Sequence, residues 1–217
     1  MKTLGFFTFF VAITSSGLAQ TTPLPTPTAQ PVTPYEEMVN AKPILINGLE
    51  FVASTQAQWQ AWDPPFGKDA VEVQLLITNR SKGDLIFSVF DTFQVVIKGA
   101  DGKVIICGGG RDHTLRTKPV LIRAGDTYCL SRSAMLSWLD EHNREFVYED
   151  GTGSWFSWDK LVAGKYSLSF RVGSKGNDEG MAFLVQHHGF SGEIASQWAG
   201  EGETPAVPFE IVDPPGE

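Results

Sequence analysis

Apolar and polar residues alternate along most of the chain with a period near two. In "VEVQLLITN" (residues 71–79), Val71, Val73 and Leu75 fall on one side, the pattern of a half-buried strand. The runs "DLIFSVF" (84–90), "TFQVVIKG" (92–99), "KVIIC" (103–107), "VLIRAGDTYCL" (120–130), "KYSLSFRV" (165–172) and "VPFEIV" (207–212) are short and rich in β-branched and aromatic residues. Turn chemistry separates them: "NRSKGD", "GADGK", "RAGD", "VAGK" and "SKGND". The Asp-Gly pair at 101–102 predicts a hairpin between residues 93–98 and 103–107. Only "SRSAMLSWLDEHNREF" (131–146) places Met135, Leu136, Leu139 and Phe146 near one helical face. That stretch reads equally as a helix behind capping serines or as a continued strand. The expected class is all-β, an antiparallel sandwich with at most one short helix.

The ends follow other rules. Met1 and Lys2 precede an apolar run over residues 4–13, and Gly17 and Ala19 sit three and one before a cut after Ala19. This is the pattern of a secretory signal peptide, residues 1–19, and the run is shorter than the roughly 20 residues that cross a bilayer. Gln20, not a cysteine, directly follows the cut, which speaks against a lipoprotein anchor. The expected location is secreted or periplasmic, with no integral membrane segment in the mature chain. "QTTPLPTPTAQPVTPY" then carries five prolines and five threonines, so residues 20–37 are expected to be a disordered linker. The folded domain is expected over residues 38–213, with 214–217 a frayed end.

Charge narrows the partners. The chain carries a net charge of −8, and removing Lys2 with the leader makes it −9. Its basic residues are scattered, so no nucleic-acid partner is expected.

Three stretches carry resemblances. "LVAGKYSLSF" (161–170) resembles the Leu-x-x-Gly-x-Tyr tyrosine corner of Ig-like and fibronectin-like sandwiches, which implies a structural role for Leu161, Gly164 and Tyr166. "QWAGEGETPAVPFEIVDP" resembles the closing strand of uncharacterised exported bacterial proteins with an Ig-like domain, through Trp198, Gly200 and residues 207–211. "LLITNRSKGDLIFSVFDTFQVVIKGADGK" with "LIRAGDTYCL" is similar in pattern to intracellular proteinase-inhibitor-like sandwich domains. The resemblances imply an Ig-like β-sandwich.

"ICGGGRDHT" (106–114) looks chemical but has neither the dinucleotide fingerprint nor the P-loop spacing, and no capped helix follows it. The chain holds two cysteines, Cys107 and Cys129, and in an oxidising compartment these are expected to pair as a disulfide. A nucleophilic Cys107 with His113 as base is the alternative. Arg111, Asp112 and His113 are candidate partner-binding residues, or local pins for a glycine loop. Gly108 to Gly110 read as positions of positive φ or close backbone approach.

"YEDGTGSWFSWDK" suggests a glycan-stacking platform on Trp155 and Trp158, or a hairpin over residues 151–158 with one tryptophan in the core. Asp150 and Asp159 resemble a calcium or glycosidase pair only in composition. His187 and His188 alternate across any strand, which disfavours one shared metal, and neither a metal site nor a cofactor is expected. Asn79 heads an Asn-Arg-Ser sequon. No catalytic residues and no enzyme are expected, because no motif joins nucleophile, base and oxyanion donors. The expected function is a non-catalytic module for binding or envelope interaction, its partner an unknown protein or glycan. A protease inhibitor and a carbohydrate-binding module are the alternatives.

Overall fold

The computed structural model describes residues 38–61, 68–89, 92–111, 119–150, 154–176 and 195–214, all within the unit Tyr35–Glu217. The expected signal peptide and linker, Asp112, His113, His187, His188 and the turn 151–153 lie outside the described residues. The described chain is all-β, and no helix in it is long and apolar enough to cross a membrane.

Sheet A runs β1 (Met38–Asn40), β3 (Leu49–Gln56), β5 (Lys68–Asn79), β10 (Thr127–Trp138), β11 (Arg144–Glu149), β12 (Ser154–Leu161), β8 (Gly108–Arg111), with β2 (Ile44–Ile46) also pairing β3. Sheet B is built on β13 (Gly164–Ser174). One edge of β13 meets β7 (Phe93–Gly99) and the other meets β15 (Gly200–Glu203) and β16 (Val207–Val212). Beyond β16 lies β4 (Gln58–Gln60). A small third sheet orders β14 (Ser196–Gln197), β6 (Leu85–Phe87) and β9 (Val120–Ile122). Pairing is antiparallel except for β4 with β16 and β14 with β6, which are parallel.

The alternation on β5 is used as its sequence implies: Val71, Val73, Leu75 and Ile77 are buried and cross-strand from β10. The ambiguous stretch 131–146 resolves as β10 and β11, joined at residues 139–143. Leu136 lies opposite Phe146 across this hairpin, where a helix would have set them along one face. Asp140 Oδ1 holds the bend by accepting from the His142 and Asn143 N–H groups, each at 2.8 Å. The β2–β3 hairpin turns on Asn47 (φ 46°) and Gly48 (φ 87°), the left-handed pair that suits a two-residue turn. The Asp101–Gly102 turn also forms, but "KVIIC" contributes only an isolated bridge, Lys98 to Val104, and not a strand.

Asn79 knots the top of the fold. Its amide donates to the Gly83 and Ile122 carbonyls, both at 2.8 Å, and its Oδ1 accepts from Ser81 N–H at 2.9 Å and Ser81 Oγ at 2.7 Å. The residue is fully buried, so the nitrogen a glycan would need is already committed inside the protein.

Cys107 and Cys129 do not form the expected disulfide. Gly108, next to Cys107, pairs with Ser157, which pairs with Val147, which pairs with Met135. Cys129 therefore lies three strand spacings away, roughly 14 Å, and is displaced along β10 by roughly 20 Å more. Bridged cysteines need Cα atoms within about 7 Å. The chemistry was available but the strand order separates the thiols. Burial, and then the Glu72 charge, push the Cys129 thiol pKa up, away from the reactive thiolate.

Two outcomes follow. Asn79→Ala strands several buried polar groups and should cost about 3 kcal/mol in urea unfolding. A reductant should leave the unfolding midpoint unchanged, because there is no disulfide worth about 3 kcal/mol to lose.

Candidate functional site

The glycine run that reads as a loop is strand β8, the last strand of sheet A. Gly108, Gly109, Gly110 and Arg111 pair with Ser157, Phe156, Trp155 and Ser154 of β12. Side-chain patterns cannot announce such a strand, because three of its four residues have no side chain. Gly109 sits at φ 122°, and a Cβ there would overlap the Trp155 carbonyl oxygen and lie 2.9 Å from Phe156 Cα. Close backbone approach therefore excludes any other residue at this position.

On β12 the two candidate tryptophans part company. Phe156 and Trp158 are core residues, and Trp158 packs on Phe146 with centroids 5.3 Å apart. Trp155 stays 47% exposed. Trp158, at 1% exposure, is thus unavailable to a glycan, and the platform reduces to one indole. The reason is the strand period: residues three apart face opposite ways.

Gln94 of β7, Cys107, Gly108, Gly109, Trp155 and Phe156 line an open surface cleft of ≈ 230 Å³. None of these residues is charged, and the Cys107 thiol donates to the Gly108 carbonyl at 2.9 Å. Ile106, just before it, is 88% exposed, and Val104 is exposed as well. Gln94 and Ile106 lie in runs that read as strands, but which strand end comes to lie beside β8 depends on strand order, so the sequence does not place them at one site.

Behind Phe156, across the strand, lies Tyr148. Its hydroxyl is buried with no hydrogen-bond partner among the described residues. Burial pushes the phenol pKa well up, nearby Arg132 partly offsets this, and Asp150 adds to it, so Tyr148 remains a neutral donor. Arg132 Nε donates to the Asp150 carbonyl at 3.2 Å. Asp150 is buried and Asp159 is exposed, so the two do not form a carboxylate pair. Asp159 is coupled instead to Glu145, whose pKa is raised first by burial and then by the Asp159 charge.

Among the other candidate residues, Arg111 closes β8 and pairs through its backbone with Ser154. Leu161 is buried, and Gly164 begins β13. The Tyr166 hydroxyl donates to the Val162 carbonyl at 2.9 Å and accepts from the Val162 N–H at 3.1 Å, tying the bend to its own strand. Among the described residues, no three His, Cys, Asp or Glu side chains converge as metal ligands.

No protein-family model matches the chain, and no curated protein matches it. Solved structures of FetP from uropathogenic E. coli strain F11 are similar in outline. The as-isolated protein, expressed in the periplasm of E. coli, is 11% identical over 81% of this chain and 97% of its own, with a TM-score of 0.31. A copper-bound variant of the same FetP is 12% identical over 83% of this chain and 96% of its own, also at a TM-score of 0.31. A likeness this distant assigns no chemistry to the present chain.

Proposed function

We propose that this is an exported, non-catalytic, Ig-like β-sandwich that binds a partner at the β8 edge of sheet A. The observation that carries the reading is the coincidence of a terminal strand, a half-exposed indole and a neutral cleft at one place. The signal-peptide pattern of residues 1–19 supports export to a secreted or periplasmic location. The Tyr166–Val162 hydrogen bonds support the Ig-like assignment, because a tyrosine corner ties a strand to the preceding turn in this way.

The cleft is lined by Gln94, Cys107, Gly108, Gly109, Trp155 and Phe156, with no acid, base or hydroxyl side chain among them. Such groups supply shape and backbone hydrogen bonds rather than a nucleophile held by a base. Protease inhibition rests on the pattern resemblance alone, and residues 108–111 form strand β8. Glycan binding keeps one specific support, the exposed face of Trp155 at the cleft rim.

A photo-crosslinking residue in place of Ile106, which is 88% exposed beside the cleft, tests the site directly in native envelope extract. A recurrent protein adduct supports the reading, glycan adducts alone favour the sugar alternative, and no adduct at all sinks both. Trp155→Ala should abolish the adduct while changing stability by less than about 0.5 kcal/mol, whereas Trp158→Ala should cost about 3–5 kcal/mol of folding stability. Gly109→Ala should displace β8 from β12 and lose the adduct at a cost of about 1–3 kcal/mol.

A further inference from the structure

β15 reads Gly-Glu-Gly-Glu, and none of its four residues is buried. Apolar burial from the strand itself therefore does not hold it in place. Its flanks differ. Trp198 is buried before it, and the indole N–H donates to the Ile46 carbonyl of β2 at 3.0 Å. Thr204 is buried after it; its N–H donates to the Phe170 carbonyl at 2.8 Å and its Oγ1 accepts from the Phe170 N–H at 2.9 Å. β15 thus spans two anchors as a strap, paired with Arg171 to Ser174 of β13 and laid against Ile46. The fit is close. A Cβ on Gly202 would lie 2.5 Å from Ile46 Cδ1, and one on Gly200 would lie 2.8 Å from Trp198 Cζ2 and 2.9 Å from Ile46 Cγ2.

One carboxylate ties the strap down. Glu203 accepts from Lys98 Nζ of β7 at 3.0 Å and from Ser169 Oγ of β13 at 2.8 Å, and Arg171 Nη2 donates to it at 3.4 Å. The other charges at this end are Glu201 of the strap itself and Lys175, just past β13, while β2 brings none. Lys165 and Glu210 lie opposite each other farther along β13. An open cleft of ≈ 170 Å³, lined in part by Arg171, Gly173 and Glu201, brings solvent to this side. We propose that β15 is an acid-sensitive strap, released from β13 when Glu203 takes up a proton, and that its release uncovers Ile46 and the edge of Trp198. Burial by itself raises the Glu203 pKa, but the bonds from Lys98, Ser169 and Arg171 and the Lys98 charge outweigh it and hold the carboxyl below its usual value. A carboxylate depressed in this way stabilises the fold above its unfolded pKa, and that contribution is lost as pH falls through the folded one. Protonation also leaves Lys98 and Arg171 without the anion they share.

The strap is independent of the cleft beside β8, and it is tested separately. Amide hydrogen exchange of the exported protein, read by nitrogen-15 NMR as protection so that the intrinsic effect of pH cancels, reports on residues 200–203 directly. Between about pH 6 and about pH 3, protection there should fall about tenfold relative to the β7–β13 ladder at Val95 and Phe170, the scale of losing a charge-assisted hydrogen bond. Glu203→Gln removes the charge at every pH, so it should lower strap protection about tenfold already at about pH 6 and flatten the response to acid. Glu201→Gln, at the exposed neighbour, should keep the full response. Strap protection that is unmoved by acid overturns the proposal. A full response in Glu203→Gln overturns the assignment to Glu203, and a loss shared equally by the β7–β13 ladder is global unfolding and overturns the strap. Should Glu203→Gln fold poorly, the titration of the unsubstituted protein still decides.

Discussion

The fold turns on where one indole sits. Trp59 belongs to β4, a three-residue strand that would be marginal by itself. Its ring stacks on Phe209 of sheet B at 3.8 Å between centroids and meets Phe146 of sheet A at 4.6 Å. The indole N–H donates to Thr55 Oγ1 at 3.1 Å, and that hydroxyl donates to the Glu72 carbonyl at 2.8 Å. A buried indole needs this partner, since its only polar group is otherwise stranded. From Trp59 the rings continue to Trp158 through Phe146 and to Tyr166 through Phe209. One chain of aromatic contacts therefore fixes how the two sheets register on each other.

That chain also places the candidate site. Trp158 must face inward to reach Phe146, and the pleat then turns Trp155 outward. After Trp158, the pairing of β11 with β12 shifts register and Lys160 adopts φ 60°, so the irregularity falls below the aromatic contact and spares the pairing with β8. Among the described residues sheet A ends at β8, which pairs with β12 over a surface that only glycine can approach at position 109. The buried Trp158 and the exposed Trp155 are two consequences of one alternation on β12.

Much of this was legible in the sequence, and the failures share a cause. Val71, Val73 and Leu75, the Asp101–Gly102 turn and the closing strand at residues 207–212 all declare themselves through side chains, and the folded chain uses them so. The "CGGGR" run reads as a loop because propensity and periodicity are properties of side chains it mostly lacks, and residues 108–111 nevertheless form β8. "KVIIC" looked like a strand by composition, yet its chain leaves β7 after one bridge to reach the far edge of sheet A. The cysteine pairing failed for a related reason: adjacency across a sheet depends on strand order, which no local pattern carries. Strands β1, β2 and β4 have only three residues each, too short for periodicity to show, although Asn47-Gly48 is a strong signal for the β2–β3 hairpin. Trp155 and Trp158 could be told apart only once the side that owns the core was known.

A sheet edge left unpaired is hazardous, because its backbone groups template association with any extended chain. The opposite edge of sheet A is blunted by length, since β1 has only three residues. β8 is four residues long and mostly glycine, so neither length nor side chains forbid self-pairing as strongly there. Of its four residues only Arg111 carries charge, and a charged residue on an edge strand is the usual guard against such pairing.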